Sequence, residues 1–73
     1  MFIRLTRPTI TIVRNHFGIF VYGKKFPLGT KLEVKELKTV INARRGTRMD
    51  LYRVVCHGVS HFVQAEDLER ERT

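Results

Sequence analysis

The chain has 73 residues, 42% of them apolar, with five Phe and two Tyr, and a net charge of +7 at neutral pH. That length supports one domain, which buries only about 60% of its unfolded surface, and the apolar content excludes a disordered polyelectrolyte. A single cysteine, Cys56, excludes an internal disulfide and fits a reducing compartment.

Arg4, Arg7 and Pro8 interrupt the first apolar residues, so no signal peptide is expected there. No run approaches the roughly 18 apolar residues of a membrane span, and no membrane partner is expected. Residues 9–13 alternate Ile10 and Ile12 with β-branched neighbours and predict a first strand, followed by a turn at Asn15 and His16. Residues 17–22 are apolar on both parities, with Phe17, Ile19 and Val21 against Phe20 and Tyr22. That pattern predicts a central, heavily buried strand, ended by Gly23, Lys24 and Lys25. Pro27 and Gly29 mark the next turn. Residues 30–37 set Leu32 and Val34 against Lys31, Glu33 and Lys35, a half-buried strand, and residues 39–43 predict a shorter one. A loop around Gly46 carries Arg44, Arg45 and Arg48. Residues 49–57 resume strand character, and Gly58, Val59 and Ser60 predict a hairpin loop before a short strand at 61–64. Residues 65–68 predict one helical turn. The domain is expected to span 1–68, with a charged tail at 69–73 that frays. The fold class is mainly β, a small barrel or a strongly bent antiparallel sheet of five or six short strands, since closure hides strand edges.

Charge is laid out unevenly. Residues 1–32 contain Arg4, Arg7, Arg14, Lys24, Lys25 and Lys31 and no acid, whereas Glu66, Asp67, Glu69 and Glu71 collect near the end. A basic body of this kind points to a polyanion or an acidic protein surface as partner. Arg44, Arg45 and Arg48 are the first candidate contacts, because the planar guanidinium fork matches phosphate and carboxylate. Lys24, Lys25, Arg4 and Arg7 are the next. Aromatic residues interleaved with cations over 17–26 have the composition of a single-strand binder, and partly match the aromatic strand of the RRM. Asn15 and His16 stand where that motif begins with a basic residue and Gly, and Ile19 where an aromatic would stack. Phe17, Ile19, Phe20 and Val21 are therefore expected in the core.

His57, His61 and Cys56 do not predict a metal site. Cys56 and His57 point to opposite faces of a strand, and zinc needs four protein ligands, or three and a water. The chain has no phosphate-binding Gly-rich loop, nucleophile elbow or H-E-x-x-H motif. No catalytic residue, cofactor, metal or small-molecule substrate is expected, and the protein reads as a binder rather than an enzyme.

The stretch Leu28-Gly29-Thr30-Lys31-Leu32-Glu33-Val34 resembles the strand after the diverging turn of SH3-like barrels. Tyr52-Arg53-Val54-Val55, Gly58 and Phe62-Val63-Gln64-Ala65-Glu66-Asp67-Leu68 resemble their closing hairpin, helical turn and last strand. The likeness covers about residues 28–68 and implies an SH3-like barrel that binds peptides, proteins or nucleic acids. In size, charge and economy the chain is similar to small phage-encoded regulators, above all the inhibitors and antiterminators that bind bacterial RNA polymerase. That resemblance implies a regulator acting in the host cytoplasm, its arginines against an acidic surface of host RNA polymerase. Direct DNA or RNA binding is the alternative, and a ribosome-associated component a third.

Overall fold

The structure, a computed structural model, describes residues 1–42 and 46–72. Six strands run in chain order as β1 (Phe2–Arg4), β2 (Thr9–Arg14), β3 (Phe20–Phe26), β4 (Lys31–Asn42), β5 (Thr47–Cys56) and β6 (Val59–Gln64). A short helix α1 (Ala65–Glu69) and a 3-10 turn (Arg70–Arg72) follow. All strand pairs are antiparallel, in one unclosed sheet of order β1-β4-β5-β6-β2-β3 with β1 and β3 at its edges. The expected mainly β class is what the chain adopts.

Residues opposite one another in an antiparallel pair share a face, and alternate residues along a strand share a face. On one face, the core face, Leu32 and Val34 of β4 meet Val54 and Cys56 of β5, Val63 of β6, Phe26 of β3, Leu5 and Leu68 in a single buried cluster. In a flat sheet, β3 and β4 would lie four strand spacings apart, about 19 Å. Phe26 and Leu32 share a core, so the sheet is curled. Leu68 seals the cluster because α1 follows β6 directly, and Leu5 enters it from the β1–β2 link, tied by backbone hydrogen bonds to Gly29 and Thr30. Ile12 and Leu51, also buried, point to the other, outer face and lie outside this cluster.

Two irregularities set the curl. β4 pairs Val34 with Val54 but Leu37 with Tyr52, so it carries one extra residue between them. Such a bulge bends a strand without ending it, and the two strands expected at 30–37 and 39–43 run as one through Asn42. Between β2 and β3 the register slips between Ile10 and Ile12. There the Thr11 hydroxyl donates to the Lys24 carbonyl at 2.5 Å. Gly23 is required at this point: a Cβ would stand 2.7 Å from Val13 Cγ1 and 2.9 Å from Thr11 Oγ1.

Several expectations are corrected. The segment expected as a central buried strand at 17–22 is displaced: β3 starts at Phe20, runs through Lys24 and Lys25 to Phe26, and is an edge strand. The reason lies at Asn15, whose side-chain oxygen accepts hydrogen bonds from the Phe17 and Ile19 amides. The Asn15 amide itself donates to Ile19. This closed loop consumes residues 15–19 and leaves Phe17 at its tip, 75% exposed rather than in the core. The β5–β6 hairpin turns one residue earlier than expected, at His57 and Gly58, both with positive φ (51° and 77°), the dihedral signature of a two-residue type I′ turn. His61 packs edge-on against Phe26. The chain end also departs from simple fraying. Glu71 turns back, and its carboxylate accepts from the Thr6 amide at 3.0 Å and the Thr6 hydroxyl at 2.6 Å, with only 2% of the side chain exposed.

Candidate functional site

Across β4 and β5 Lys35, Arg48 and Arg53 meet carboxylates, while Lys31 and Lys38 lie over the rings of Phe2 and Phe62. Arg53 donates to Glu36 at 2.6 Å and to the Ser60 hydroxyl at 3.1 Å. Lys35 lies 3.1 Å from Glu33, and Arg48 3.4 Å from Asp50. The bond from Arg53 holds the Glu36 carboxyl below the usual carboxylate range and pushes the Arg53 guanidinium up. The Thr39 hydroxyl, with Arg48 adding to it, does the same for Asp50. Near the chain end Arg70 meets Asp67 at 2.9 Å, and Arg7 lies 3.9 Å from Glu71. The Glu71 carboxyl is held low mainly by its bond from the Thr6 hydroxyl.

The β2–β3 hairpin is different. It contains Arg14, Lys24 and Lys25 and no acid, and among the described residues none of the three has a carboxylate partner. The same hairpin displays large apolar side chains: Phe17 is 75% and Tyr22 67% exposed, with Val13 and Val21 less so. His16 packs against Phe17 with ring centroids 4.1 Å apart, and Arg14 sits beside Gly18 across the tip. Cations without carboxylate partners among the described residues and exposed rings thus coincide on one element, whose outer edge pairs with no described strand.

The residues singled out in the sequence are distributed as follows. Lys24 and Lys25 lie on this hairpin, exposed on β3. Arg48 is exposed at the start of β5 but compensated by Asp50, and Arg44 and Arg45 lie outside the described residues. Arg4, on the opposite edge strand β1, donates to the Gly29 carbonyl at 2.9 Å. Arg7 is drawn toward Glu71. The structure therefore places Arg7 on one cleft with Lys25, Asp67 and Arg70, and leaves Arg4 and Arg48 apart from the hairpin. Sequence reasoning left Arg14 out of the candidate contacts and expected Phe17 in the core, whereas Tyr22 belonged to the run 17–26 already read as having a single-strand binder's composition. The signal for Arg14 was the acid-free stretch 1–32. The exposure of Phe17 had no such signal, because an apolar run reads as core until its neighbours are known.

Among the described residues no group of three His, Cys, Asp or Glu side chains is placed to hold a metal ion, and no helix is long and apolar enough to cross a membrane. Compared with known proteins, the chain matches no family model, no curated sequence and no solved structure.

Proposed function

We propose that this protein is a small non-catalytic regulator that binds nucleic acid through the β2–β3 hairpin. The observation that carries the reading is the coincidence on that hairpin of Arg14, Lys24 and Lys25, without carboxylate partners among the described residues, with exposed Phe17 and Tyr22. Cations with no internal partner are free to neutralise phosphates and release counterions. Exposed rings beside them supply stacking surfaces that every base satisfies. An SH3-like relationship for residues 28–68 belongs to the same proposal, since small barrels of that kind host binding sites on loops and edges.

A second reading puts a protein against the same hairpin: a phage-type regulator in the host cytoplasm that docks on an acidic surface of host RNA polymerase. It is favoured by the open outer edge of β3, which a strand of a partner can extend. Lys24 and Lys25 discourage a second copy of this chain from doing so. Titrating labelled DNA and RNA with the protein over a range of salt concentrations separates the two. Nucleic-acid binding gives an affinity that falls linearly in log–log form with salt. Absence of binding to any oligonucleotide at low salt, with nuclease-resistant capture of RNA polymerase from a bacterial lysate, would establish the second reading instead.

A further inference from the structure

The start of β3 and the start of β5 stand across a cleft of about 330 Å³, with Ile12, Ile19, Phe20, Val21 and Tyr22 on one side and Thr47 and Met49 on the other. Buried Ile12 forms part of its wall, and among the described residues no carboxylate lines it. The strand register places Arg14 opposite Phe20, Tyr22 opposite Ile12 and Lys25 opposite Ile10. By the alternation of strand faces, Arg14, Phe20, Tyr22 and Lys25 therefore stand on the face of the hairpin that holds Ile12. Two rings lie between two cations.

The spacing of those rings selects the form of nucleic acid. Side chains at i and i+2 on a strand are separated by about 6.8 Å, twice the roughly 3.4 Å step of stacked bases in a duplex strand. A duplex offers its bases only as edges in the grooves, so it has no face to lay on Tyr22. A single strand with bases spread apart matches both the spacing and the open cleft. An acidic peptide would be satisfied by the cations alone and would leave the apolar walls uncovered.

We propose that the cleft receives one unpaired base of a single-stranded nucleic acid, its ring against Tyr22 and Phe20 and facing Met49, with flanking phosphates on Arg14 and Lys25. The proposal rests on the reading that the hairpin binds nucleic acid, and narrows it to single strands with a defined base site.

The test compares three fluorescein-labelled probes binding to the full chain at low salt: an oligothymidylate, an abasic phosphodiester of equal length, and a duplex. The oligothymidylate should bind about tenfold more tightly than the abasic chain, the scale of one stacked base, and more tightly than the duplex. Tyr22→Ala should erase the difference between oligothymidylate and abasic chain while preserving the salt-dependent remainder. In the Tyr52→Phe protein, where Tyr22 is the sole tyrosine, emission should be quenched by the oligothymidylate and not by the abasic chain. Should Tyr22→Ala perturb folding, Thr47→Glu, an exposed change on the facing wall, should lower oligothymidylate affinity about tenfold. Equal affinity for oligothymidylate and abasic chain overturns the base site and leaves nucleic-acid binding standing. Binding of neither, with retention of polyglutamate, overturns both.

Discussion

In the β4–β5 hairpin Arg53 meets Glu36 at 2.6 Å and Arg48 lies 3.4 Å from Asp50, whereas in the β2–β3 hairpin Arg14, Lys24 and Lys25 have no such partner among the described residues. Both hairpins are long, twisted and basic. They differ in what the neighbouring chain supplies: β4 carries Glu33 and Glu36 into reach of β5, while nothing within residues 1–32 supplies a carboxylate to β2 or β3. Surface ion pairs contribute little to stability, so their main effect is to remove cations from the pool that an outside anion meets. Counting arginines therefore overstates the β5 end as a binding surface. The informative quantity is the cation left unmatched.

The sharpest way to separate a folding region from a binding region is to cut into each. Leu32, 0% exposed in the core cluster, should cost about 2–5 kcal/mol when changed to Ala, read as a lowered urea midpoint. That loss is large for a domain of this size. A loss below about 1 kcal/mol would mean that the cluster is not the stabilising core.

Next in size is the combined change of Arg14, Lys24 and Lys25 to Ala. Affinity for an oligonucleotide should fall, and the slope of log affinity against log salt should become shallower by about one for each lost phosphate contact, at an unchanged melting temperature. Arg48→Ala should weaken binding less than any one of the three, because Asp50 already engages that guanidinium. If Arg48→Ala costs as much as the triple change, the contrast between the hairpins is broken and the β5 end becomes the interface.

A smaller effect concerns pH. Glu71, Glu36 and Asp50 all have carboxyl pKa values lowered in the fold. A group lowered in this way stabilises the fold above its unfolded value, and the contribution is lost as the pH falls through its folded value. Melting temperature should thus be flat from neutrality downward and decline below about pH 4, the ordinary carboxylate range. Glu71→Gln should lower the neutral-pH melting temperature and flatten part of the acid decline, since its carboxylate alone joins the chain end to Thr6. An acid profile identical to that of the parent protein would show that this clasp does not contribute.

Smallest of all is Phe17→Ala. A ring at an exposed loop tip should change stability by no more than about 0.5 kcal/mol. A midpoint shift of the size expected for Leu32→Ala would return Phe17 to a buried role.

Much of the fold was legible residue by residue. Leu32 and Val34 alternate with charged neighbours, and they are buried as that alternation implies. Residues 65–68 read as a helical turn, and α1 begins at Ala65 with Ala65 and Leu68 buried. Residues 17–22 misled for a physical reason. Both parities are apolar, and the same pattern serves a strand covered on both faces or one that presents rings to a ligand. The candidate site was half legible: Lys24 and Lys25 stood out by charge and Tyr22 by its place among rings and cations, while Phe17 read as core.

The amino-acid sequence by itself determined the period of two that makes strands, the turns at Asn15 and Gly29, and a first half without acids, because these depend on side-chain chemistry within a few residues. Tertiary structure alone decided that β3 is an edge, that Phe26 shares a core with Leu32, that Glu36 reaches Arg53, and that the starts of β3 and β5 face each other across a cleft. Each of these joins residues distant in the chain through the order of strands and the curl of the sheet. Strand order is a choice among pairings that leave local patterns equally satisfied, so no local pattern encodes which cations end unmatched or which rings end exposed.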